Sequence, residues 1–83
     1  MPQKVDNTGW TYGEQSVGTV VRIVQDRGFA FVRANGGETD FFMHHSDYSG
    51  EFIRLKVGQV VAFTPAETPK GPRACFVEKS SIR

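Results

Sequence analysis

From Val17 onward, apolar and β-branched residues come in short runs broken by Gly, Pro, Asn and Asp. Val17–Val24 is rich in Val, Thr and Ile, residues that suit a pleated, half-buried surface. Asp26-Arg27-Gly28 reads as a turn, and Phe29–Arg33 as a second strand. Asn35-Gly36-Gly37 is a strong hairpin signal, because glycine and asparagine tolerate the positive φ that tight hairpin turns require. Thr39–Met43 reads as a third strand, and Val60–Thr64, after Gly58, as a fourth. Pro65 and the loop Pro69-Lys70-Gly71-Pro72 follow. Ala74–Val77, continuing toward Ile82, is a fifth strand. The long gap at His44–Val57 has room for a short helical turn and a loop.

Five strands, two tight hairpins and one long connection predict an all-β, five-stranded antiparallel Greek-key barrel of the OB type. On pattern alone an SH3-like barrel also remains open. The alternation within strands assigns faces. Phe29, Phe31 and Arg33 share one face of the second strand, with Ala30 and Val32 on the other. Asp40, Phe42 and His44 share one face of the third, with Phe41 and Met43 on the other. A buried face holding Asp40 and His44 would need costly polar satisfaction. The expectation is therefore that Phe29, Phe31, Phe42 and His44 form one exposed patch, which calls for a binding explanation. The inverted parity would expose Ala30, Val32, Phe41 and Met43 instead, which is no cheaper. Phe41, Phe63 and Phe76 are assigned to the core, and Cys75 reads as a shielded, inert thiol.

Composition adjusts this picture. A chain of 83 residues allows one domain with a small core. Nine Gly and four Pro leave no room for long helices. Residues 1–15 are polar and read as an N-terminal tail, leaving 16–83 as the domain. Trp10 and Tyr12 stand out in the tail; they either dock it on the barrel or extend a binding surface. A lone cysteine, no signal-like apolar run and no membrane-length segment point to a reducing, cytoplasmic setting without a membrane partner. Ten basic against nine acidic residues give a net charge of +1, which argues against a binder driven by charge alone. Aromatics at 12% supply another route. Exposed rings mixed with His and Arg suit single-stranded nucleic acid, since every base offers a π-face.

The motifs carry a resemblance. Arg27-Gly28-Phe29-Ala30-Phe31-Val32 resembles the Lys-Gly-Phe-Gly-Phe-Ile element of cold-shock domains. Asp40-Phe41-Phe42-Met43-His44-His45-Ser46 resembles the family's Asp-Val-Phe-Val-His-Phe-Ser. Gly18-Thr19-Val20, then Phe52 with Leu55 and Gly58, then Lys70-Gly71-Pro72-Arg73-Ala74, match further family segments in order across about Val17–Val77. The resemblance implies an OB-type barrel that binds single-stranded RNA and DNA and acts as an RNA chaperone, often in cold adaptation, with effects on transcription and translation. It implies base stacking at Phe29, Phe31, Phe42, His44 and Phe52, and a base-edge hydrogen bond at Asp40. Arg27 and Lys70 occupy its basic positions beside the strand, and Arg73, at the variable position of the last segment, is a further candidate contact. Three departures stand out. Val21-Arg22-Ile23 replaces Lys-Trp-Phe, which removes an indole and a neighbouring ring; Arg22 can stack on a base or meet a phosphate. His45 replaces an aromatic and can still stack. Ala30 replaces a glycine, which an inward position with room for a methyl would tolerate.

Other readings carry less. No nucleophile–base constellation has a recognisable spacing, so neither an enzyme, a small-molecule substrate nor a cofactor is expected. His44-His45 with Asp40 or Asp47 could suggest a metal site, but neighbours on a strand point apart, and no metal is expected. A protein-interaction barrel with weakened or lost nucleic-acid binding is the alternative.

Overall fold

The computed structural model describes residues 4–5 and 9–80. Among them, seven strands form one sheet: β1 (Lys4–Val5), β2 (Thr11–Tyr12), β3 (Ser16–Val24), β4 (Phe29–Ala34), β5 (Asp40–His44), β6 (Val60–Thr68) and β7 (Gly71–Lys79). The spatial order is β1-β2-β6-β3-β4-β5-β7, and β6 also pairs with β7, so five strands close into a barrel. All pairings are antiparallel except β5 with β7, which meet in parallel at Phe42 and Arg73. β7 carries the fifth predicted strand on to Lys79 with Ser80 outside it, and the expected continuation over 81–82 lies outside the described residues. Short 3-10 turns occupy Gln25–Arg27, His45–Asp47 and Phe52–Arg54. The latter two fall in the long connection, and no helix among the described residues is long and apolar enough to cross a membrane.

Each barrel strand turns one side inward. Val20, Ala30, Val32, Met43, Val61, Phe63, Ala74 and Val77 are fully buried, with Leu55 closing one end. Phe41 is half-buried and lies 5.4 Å from Phe63, centroid to centroid. Ala30 does face inward, where its methyl is part of the core. Gly18 marks the tightest site among the glycines: a Cβ there would stand 2.4 Å from the Arg33 carbonyl oxygen. Gly28 ends the first 3-10 turn at φ +75°, a left-handed conformation that L side chains rarely adopt.

Two expectations change. β6 runs through Pro65 to Thr68 rather than stopping at Thr64. Proline offers no N–H to a ladder, but its carbonyl remains, and Pro65 O accepts from Gly13 N at 2.8 Å. Phe76 is not a core residue: it is 71% exposed at φ +50°. The cause is an irregularity in the β6–β7 register between Ala62 and Thr64, opposite Cys75 to Glu78. An extra residue there reverses the alternation, so Ala74 and Val77 both point inward and Phe76 is turned out. Cys75 is buried, as expected.

The N-terminal segment joins the sheet. Tyr12 pairs with Ala66 and Thr11 with Glu67, and β1 adds to β2. The Tyr12 ring lies 6.2 Å from Trp10 and 6.4 Å from Phe76.

Candidate nucleic-acid interface

The outward sides of β3, β4 and β5 make one surface. Register sets it: Arg22 stands opposite Phe31, Phe31 opposite Phe42, Phe29 opposite His44, and Arg33 opposite Asp40. Residues directly opposite in a ladder share a face, so these side chains project together. The inverted parity is excluded, because Ala30, Val32 and Met43 are buried.

Three rings form a closed cluster. Phe29 lies 5.8 Å from Phe31 with an edge-on angle of 86°. Phe42 is 5.4 Å from Phe29 and 6.0 Å from Phe31. Such contacts hold the rings in place by about 0.5–1.5 kcal/mol per pair beyond area burial. All three remain half-exposed.

His44 is anchored by its neighbours. Ser46 N donates to its Nδ1 at 3.2 Å, and the Ser46 hydroxyl lies 2.8 Å from the same atom. An accepting Nδ1 assigns the ring proton to Nε2, which leaves a donor on the opposite edge. The His44 backbone N–H donates to Asp47 Oδ2 at 3.0 Å, completing a reciprocal cap of the 3-10 turn. The same Asp47 oxygen accepts from Arg73 Nε at 2.9 Å. One carboxylate therefore ties the end of β5 to β7. On sequence alone Asp47 suggests only a metal ligand; its spacing three residues after His44 is the signal that marks a cap.

Charge on the surface is largely internal. Arg33 Nε and one terminal nitrogen donate to the two Asp40 oxygens at 2.7 and 3.2 Å. That hydrogen bonding, with the guanidinium charge, holds the Asp40 carboxyl below the usual carboxylate range. Asp40 therefore stays an acceptor. Arg33 holds its own proton correspondingly more firmly.

The remaining predicted residues fall into two groups. Lys70 and Arg73 face Asp40, Phe42 and His44 across a groove of about 680 Å³, which Trp10, Phe31 and Thr68–Arg73 also line. Arg27, His45 and Phe52 lie around the turns at the other end. His45 sits close over Gly28, its backbone N–H donating to the Gly28 carbonyl at 2.8 Å, and its ring is 6.2 Å from Phe52. Phe52 is half-buried and also packs on the core. His44 and His45 do not point apart as neighbours on a strand would. His45 begins a 3-10 turn, which swings its ring to 4.2 Å from that of His44. Among the described residues, no three His, Cys, Asp or Glu side chains come together to hold a metal ion.

The whole barrel, residues 16–80, matches the family described as the 'Cold-shock' DNA-binding domain. The chain belongs to the cold-shock domain family. Its relatives include the cold shock-like protein CspLB of Listeria monocytogenes, 41% identical over 63 residues, covering 75% of this chain and 94% of that protein. The probable cold shock protein A of Mycolicibacterium smegmatis is 36% identical over 61 residues, covering 72% of this chain and 91% of that protein. Among solved structures, the Drosophila Unr fragment CSD456 shares the fold at a TM-score of 0.69 and 18% identity, covering 84% of this chain and 29% of that one. Within this cold-shock domain the expected Phe29, Phe31, Phe42 and His44 surface is assembled as described, with Asp40 and Arg22 at its margins. Trp10, outside the matched segment, lines the groove although no motif assigned it there.

Proposed function

We propose that this cold-shock domain binds single-stranded RNA and DNA by stacking bases on its aromatic face. In the cytoplasm it acts as an RNA chaperone that keeps RNA unpaired during cold adaptation and influences transcription and translation. Nucleic-acid binding is the function of the family to which the chain belongs. The observation that carries the stacking reading is the outward cluster of Phe29, Phe31 and Phe42 beside His44. Rings on an open sheet accept any base, at about 1–3 kcal/mol per stack. A paired duplex hides those base faces, so such a surface favours unpaired strands. Asp40, held as an acceptor, takes an N–H from a base edge. Arg22 stacks beside Phe31 or meets a phosphate, while His45 and Phe52 receive a base at the far end. Arg27 and Lys70 neutralise the backbone, and Arg73, already paired with Asp47, contributes as a wall of the groove.

Anisotropy of a dye-labelled seven-residue oligothymidylate tests the reading at low salt. Phe29→Ala and Phe31→Ala should each weaken binding by about 1–3 kcal/mol. No binding, or binding indifferent to both substitutions, overturns it and leaves a protein-interaction role for the surface.

A further inference from the structure

Trp10 lies outside the family's matched segment, yet it faces the groove beside Phe42. Its position is set by backbone and side chain together. Ala66 of β6 pairs with Tyr12 of β2 on one side and with Arg73 of β7 on the other, so the Trp10 ring meets the Arg73 side chain across β6. The Arg73 guanidinium lies 4.8 Å from the Trp10 ring centroid and 5.8 Å from that of Phe42. Arg73 is itself fixed by Asp47 at 2.9 Å. A cation held between two rings and tied to a carboxylate fixes the indole against the barrel. The indole is half-exposed. Phe31, Phe42 and His44 line the same groove, so the indole continues their surface past β5. Lys70 lines it too, and among the described residues it has no carboxylate partner. A large flat ring with an uncommitted cation beside it matches a base and its phosphate.

We infer that Trp10 and Lys70 form an added nucleotide subsite, which extends the stacking surface beyond Phe42 on the β7 side. Trp10 stacks one base of the bound single strand, Lys70 meets its phosphate, and Arg73 with Asp47 positions the indole. The site stands at the opposite margin from Arg22, so the strand is displaced toward β7. This rests on the single-strand reading above.

Trp10 is the sole tryptophan of the chain, so its emission reports on this subsite alone. Titration of the full chain with unlabelled seven-residue oligothymidylate should quench that emission in step with binding measured by anisotropy of a labelled strand. Trp10→Ala should weaken binding about 5–150-fold, the equivalent of one lost stack. Unchanged wild-type emission on binding, together with wild-type affinity for Trp10→Ala, overturns the inference. Should Trp10→Ala not fold, the emission of the wild-type chain decides alone: quenching supports the subsite and its absence overturns it. Phe31→Ala separates the two claims. If it weakens binding while Trp10 stays silent, only the subsite falls; if nothing binds, both fall.

Discussion

Asp40 and Arg33 show how one residue pair conditions the surface. They stand opposite each other in the β4–β5 ladder and share two hydrogen bonds. The arginine depresses the carboxyl, so the folded state binds this proton less readily than the unfolded chain. The pair's contribution is therefore complete above the ordinary carboxylate value and is lost as pH falls through the depressed folded value. Both side chains are well exposed, so solvent screens the effect. Arg33→Gln should return the Asp40 titration, followed by carboxyl-carbon NMR, upward toward the ordinary range. A titration that does not move would show that the guanidinium is not the cause. The composition of the patch was legible because Asp40 and His44 are expensive to bury, and that fixed its parity. The partnership of Arg73 with Asp47 was not, because it joins residues 26 positions apart.

At the level of elements, short β-branched and apolar runs located all five barrel strands, turn residues marked their ends, and period-two alternation assigned their faces. It failed where the backbone breaks the period. Phe76 looks like core in a regular strand, and only the irregular β6–β7 register turns it outward. β2 escaped notice because two paired residues leave no periodic trace. The close β3–β4 approach at Gly18 is equally silent in a single sequence. Gly18→Ala would drive a methyl into the Arg33 carbonyl and the Ala34 backbone, at 2.4 and 3.0 Å, neither of which can swing aside. It should cost about 1–3 kcal/mol, as overpacking of a tight site does, read from the urea midpoint. Unchanged stability would mean that the two strands can separate locally without loss.

For the molecule as a whole, binding is built on rings more than on field. The net charge is +1, and among the described residues three arginines already have carboxylate partners: Arg33, Arg54 and Arg73. If two or three phosphates are neutralised, the logarithm of affinity should fall against that of salt with a slope of about −1.4 to −2.1. Anisotropy titrations across a salt series would measure it; a slope steeper than about −4 would require a cationic footprint that this surface does not present. The added strand has a consequence of another kind. β3 accompanies β6 only as far as Phe63, so beyond that point one side of β6 would show open N–H and C=O groups. An unpaired edge of that sort is a template for a neighbouring chain and a common seed of aggregation. Thr11 and Tyr12 occupy it at Glu67 and Ala66. The N-terminal segment thus covers this part of β6 and leaves the two-residue β1 as the edge of the sheet, and a short edge strand is a poor template, so removal of the segment should raise light scattering of the folded barrel.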